Sequence, residues 1–81
     1  MAGWDWEIVA YVDRDGVRHA GGPEPAVEPD GIRAVVVRAW NPKDEDEYAT
    51  MFIPALGRFN SWAEILSAIG HALGDYGIEM G

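Results

Sequence analysis

The chain has 81 residues, a formal net charge of −8, 48% hydrophobic residues, four tryptophans and no cysteine. That length fits one domain, residues 1–81, burying about 60% of the surface its unfolded form exposes. Lack of cysteine excludes disulfides, thiolate metal ligands and a thiol nucleophile, and the acidity argues against nucleic acid and anionic membranes as partners.

No apolar run reaches the ~18 residues of a membrane span. Met1–Glu7 lacks the basic and apolar regions of a signal peptide, and Ala2 is not a myristoylation site. The expectation is a cytoplasmic protein.

Alternating hydrophobics predict a first strand over Trp4–Asp13. Asp13-Arg14-Asp15-Gly16 follows as a hairpin turn, because glycine accepts the positive φ such turns need. A short return strand is expected at Val17–Ala20. Residues 21–31 form a loop, since Pro23, Pro25 and Pro29 remove backbone donors. Ile32–Trp40 is a second long strand, whose continuous run Ala34-Val35-Val36-Val37 reads as buried on both faces. Asn41-Pro42 forces a turn, Lys43–Asp46 is an exposed connection, and Glu47–Ile53 is the third long strand.

A helix starts at Ser61-Trp62-Ala63-Glu64, which fits a capping box, with Phe59 placed to staple onto Ile65. Trp62, Ile65, Leu66, Ile69 and Leu73 make one apolar stripe at helical spacing. Gly70 inside the helix suggests close packing on the sheet. Gly74 and Gly77 are alternative stops, Gly77-Ile78 resembling a Schellman ending, and Ile78–Met80 is a candidate edge strand or docking tail. The fold class is therefore α+β: a small antiparallel sheet of three long strands plus a short hairpin return strand, with one C-terminal helix packed on one face.

Parity along each strand assigns two faces. Trp4, Trp6, Ile8, Val36, Met51 and Ile53 are expected beneath the helix. Val9, Tyr11, Val35, Val37, Tyr48 and Phe52 are expected on the opposite face, rimmed by Asp5, Glu7, Asp13 and Arg33. An apolar, aromatic centre inside a charged rim has the anatomy of a protein interface. The bland alternative is that the 21–31 loop or the C-terminal tail covers it.

Nothing else in the chain specifies chemistry, so neither a catalytic residue nor a cofactor or metal is assigned, and no enzymatic role is expected. His19 and His71 have no histidine or cysteine at ligand spacing and read as surface residues. Asp44-Glu45-Asp46-Glu47 lacks the alternation and glycine of a calcium loop and reads as a solvated charge run. Ser61 is explained as a helix cap, and Gly21-Gly22-Pro23 lacks the lysine of a phosphate cradle.

The expected function is a small acidic, non-enzymatic interaction module that self-associates as a homodimer through the exposed sheet face. On this reading, Tyr11→Asp or Val37→Glu separates the copies without unfolding the helix. One alternative is an acidic inhibitor, antitoxin or immunity-type protein masking a basic site on another protein. Another is a small-ligand-binding protein using the Trp-rich edge (Trp4, Trp40, Trp62) and His19.

Overall fold

The computed structural model describes residues 4–22 and 27–76. Strands β1 (Asp5–Asp13), β2 (Arg18–Ala20), β3 (Ile32–Asn41) and β4 (Asp44–Pro54) precede one helix, α1 (Trp62–Tyr76). Among the described residues they form an antiparallel sheet in the order β2-β1-β3-β4. This is the α+β arrangement that the strand-then-helix pattern predicts. The sequence-predicted Gly77 stop and the Ile78–Met80 tail lie outside the described residues.

The β1–β2 hairpin closes through a three-residue loop. Asp13 N–H donates to the Val17 carbonyl and Gly16 N–H to the Asp13 carbonyl, both at 3.0 Å. Gly16 sits at φ 83°, where a side chain would be strained. The Asp13 carboxylate accepts from the backbone of Asp15 and Val17 at 2.9 Å each, and from His19 Nε2 at 2.8 Å. The hydrogen bonds from His19 and then from Val17 hold the Asp13 carboxyl below its ordinary range.

β1 carries the feature that sets both faces. Ile8 pairs with Val37 and Ala10 with Val36, leaving Val9 as an extra residue in the ladder. Directly opposed residues share a face, so the bulge reverses parity along β1. Trp6 and Ile8 lie on the helix side before it, and Tyr11, paired with Val35, lies on the helix side after it. Gly21 closes on the bulge, its N–H donating to the Val9 carbonyl at 3.1 Å. A Cβ at Gly21 would overlap the Ile8 carbonyl oxygen and come within 2.6 Å of the carbonyl carbons of Ile8 and Val9. The Tyr11 hydroxyl donates to the Gly22 carbonyl at 2.5 Å, and burial pushes its pKa up.

Tyr11, Val35, Val37, Ala39 and Ile53 of the sheet pack with Phe59, Ile65, Ile69 and Leu73 in one buried cluster. Trp62 lies against Tyr11, with ring centroids 6.0 Å apart. Glu64 N–H donates to Ser61 Oγ at 3.3 Å, as a cap requires. The reciprocal contact goes from Asn60 N–H to Glu64 Oε2 at 2.5 Å, one residue earlier than the capping box predicts. Gly74 is exposed with open space around it, so it neither stops α1 nor admits a close neighbour. β4 begins earlier than Glu47 because Asp44–Asp46 continue the strand from the two-residue turn at Pro42-Lys43.

Two outcomes test this account. Gly21→Ala should cost about 1–3 kcal/mol, the range for overpacking, and lower the thermal midpoint by about 5–20 °C in a melt followed by circular dichroism. Because the folded Asp13 carboxyl is depressed, its contribution is present above the unfolded pKa of about 3.9. It is lost as pH falls through the folded value. Asp13→Asn should therefore show a shallower loss of midpoint between pH 5 and pH 2.5 than the parent; an identical slope contradicts the assignment.

Candidate interaction surface

The face away from α1 is built by the residues that alternate with the core. On β3 these are Ala34, Val36, Arg38 and Trp40, facing Pro54, Phe52, Thr50 and Tyr48 of β4 in that order. On β1 they are Asp5 and Glu7 before the bulge and Ala10 and Val12 after it, with Arg18 and Ala20 of β2 beside Val12 and Ala10. Val9, at the bulge, is 36% exposed.

The six sequence-predicted interface residues divide evenly. Phe52 and Tyr48 stand 63% and 56% exposed on this face, with Val9 among the exposed residues as well. Tyr11, Val35 and Val37 are fully buried beneath the helix, which corrects their placement on the open face. Tyr11 moves because the bulge at Val9 reverses the alternation. Val35 and Val37 move because a four-residue apolar run has no parity of its own, and the ladder puts them opposite Ile53 and Met51. Val36 moves the other way: expected under the helix, it pairs with Phe52 on the open face.

Val36, Val12 and Trp40 are the residues of this face that sequence reasoning missed. A signal existed in Arg38, whose exposed side chain demands that Val36 share its side and that Val37 and Ala39 oppose it. Arg33 gives the contrary parity. It is the residue skipped where the ladder shifts from Ala34 opposite Val12 to Ile32 opposite Asp13, so Ile32 rejoins the core while Arg33 stays exposed. Of the expected rim, Asp5 and Glu7 belong to the open face, Arg33 stands at the second shift, and Asp13 is committed to the hairpin.

The surface is graded along the strands. Ala10 and Val36 are buried at its centre, level with the exposed Phe52, and the buried Ala34 lies between Val12 and Pro54 toward one end. Toward the other end, Glu7, Arg38, Trp40, Pro42 and Asp46 line a shallow hollow. There the Arg38 guanidinium lies 4.9 Å from the centroid of the Tyr48 ring, a cation–π contact that holds both side chains against the sheet.

Elsewhere the chemistry is thin. A groove of about 460 Å³ on the helix side is lined by Trp6, Ile8, Gly21, Gly22, Trp62 and Leu66; it brings together two tryptophans but not His19. His19 is engaged with Asp13, and His71 is exposed on α1. Among the described residues no three His, Asp or Glu side chains cluster to hold a metal ion, and no helix is long and apolar enough to cross a membrane. No protein family matches the chain, and no curated protein or solved structure matches it.

The face assignment has a direct check. Val37→Glu buries an unpaired charge and should unfold the domain or lower its stability by about 3 kcal/mol or more. Phe52→Asp changes an exposed side chain and should keep the parent helix signal and a midpoint within a few degrees. Equal effects of the two substitutions, read by circular dichroism melts, would reverse the assignment.

Proposed function

We propose that this protein is a small acidic interaction module that self-associates through its helix-free sheet face, without catalytic chemistry. The observation that carries the reading is Phe52, 63% exposed beside the buried Val36 of the same face. With Val36 and Val12 it makes an apolar centre, and Tyr48 and Trp40 add aromatic surface beyond Thr50 and Arg38 on the same face. A symmetric pair of copies is the commonest way such a face is covered, and two sheets stacked face to face bury it well.

The edge of β4, outermost among the described strands, is a poorer route to association. Asp44, Asp46 and Glu47 line its start and Pro54 its end. Charge and proline are the devices by which sheets resist edge pairing.

A second reading is favoured by the acid gathered at one end of the sheet, where Asp5, Glu7, Asp44, Asp46 and Glu47 lie together. It is that of an inhibitor or immunity-type protein, monomeric alone, whose acidic end covers a basic site on a different protein. Such a complex would form fast and weaken steeply with salt.

Solution mass separates the two. On the first reading, light scattering on a sizing column or sedimentation gives twice the chain mass at tens of micromolar, and Phe52→Asp gives one chain mass with unchanged helix content. A parent that stays monomeric at millimolar concentration would sink self-association and favour the second reading.

A further inference from the structure

We propose that the two copies stack antiparallel, so that the acidic end of each helix-free face lies over the arginine-bearing end of the other. This orientation rests on the self-association proposed above and adds the arrangement that its charges favour.

The face is polarised along the strands. One end carries Asp5 and Glu7 of β1 and Asp46 of β4, with Asp44 and Glu47 close by, and Arg38 opposite Glu7 offsets only part of this acid. The other end carries Arg18 of β2, level with Val12, and Arg33 stands exposed at the rim, at the irregular start of β3. Arg14 stands beyond them, its guanidinium donating to the Asp30 backbone carbonyl at 3.0 and 2.7 Å. That contact fixes the side chain at this end, where Asp13, Asp15 and Asp30 lie beside it.

The levels of the ladder make the match self-complementary. Val36 lies level with Ala10 and Phe52. Glu7, Arg38 and Thr50 lie two ladder levels to one side of it, and Arg18, Val12, Ala34 and Pro54 two levels to the other. Stacked faces require a two-fold axis lying between them. An axis running across the strands at the level of Val36 exchanges these two rows. Each Glu7 then lies over the other copy's Val12, one strand spacing of about 4.8 Å from its Arg18. Val36 meets Val36 and Phe52 meets Phe52 at the apolar centre.

The alternative axis, running along the strands, places acid over acid. For chains of net charge −8, that concentrates the repulsion at one end of the interface. Strands of nine, three, ten and eleven residues give a face of roughly 500 Å², below the roughly 800 Å² per partner of a standard interface. An interface that small leaves little apolar surplus, so the placement of charge decides the orientation.

The test is a charge swap on two double variants, each checked for parent-like circular dichroism. Asp5→Lys with Glu7→Lys makes the acidic end basic; Arg18→Glu with Arg33→Glu makes the basic end acidic. Each alone should weaken dimerisation about tenfold or more in sedimentation equilibrium, since like charges then face each other. An equimolar mixture should recover the parent dimer mass as a mixed pair, because both ends are again complementary. Reversals that leave the dimer unchanged, or a mixture that recovers nothing, overturn the antiparallel arrangement. In either case, a dimer still split by Phe52→Asp leaves the choice of face intact. A parent that never dimerises overturns both.

Discussion

The approach of Gly21 to the backbone of β1 is the constraint on which the other features depend. Val9 is one residue too many for the ladder, and the strand absorbs it only because the chain returning from the hairpin has no side chain where it meets the Ile8 and Val9 carbonyls. The hydrogen bond from Gly21 to Val9 and the one from Tyr11 to the Gly22 carbonyl close this corner from both sides. With the extra residue in place, Trp6, Ile8 and Tyr11 all face α1, and Trp62 finds an aromatic partner. A regular strand would send Tyr11 to the opposite side and leave Trp62 without it.

This explains how a single helix is sufficient for one side of the sheet. Ile65, Ile69 and Leu73 pack in one buried cluster with Tyr11, Val35, Val37 and Ile53, the helix lying nearest β4, and Phe59 and Trp62 join the same core. Burial of these groups is the main favourable contribution to a domain without crosslinks. On the other side no helix packs among the described residues, and small side chains, Ala10, Ala34 and Val36, occupy the middle of the sheet. That division leaves Phe52 and Tyr48 exposed.

Much of the fold was legible because its signals are local. The helix stripe repeats over four turns, the Asp-Gly turn carries its own backbone requirement, and Asn41-Pro42 marks the reversal between the long strands. The face assignment was legible in β4, where alternation is clean: Ala49, Met51 and Ile53 against Tyr48, Thr50 and Phe52. It failed in β1 and β3 for two physical reasons. A bulge changes parity without changing composition, so nothing between Trp4 and Asp13 announces it. The run Ala34–Val37 contains no polar residue to report which side is wet, and its flanking arginines disagree because Arg33 sits at a register shift. The polarity of charge along the strands was invisible for a related reason: acids far apart in the chain, Asp5 and Asp46, share one end only once the register is known.

The irregular strand also leaves a trace that a descendant or ancestor of this chain would carry. Its inward positions recur at intervals of two, two and then three, from Trp4 through Trp6 and Ile8 to Tyr11, and a glycine follows ten residues later. Losing or gaining one residue within that span would turn half of the strand inside out, so lengths should drift in the 21–31 loop long before they drift here. Spacing, more than residue identity, is what distant kin of this small domain would have in common.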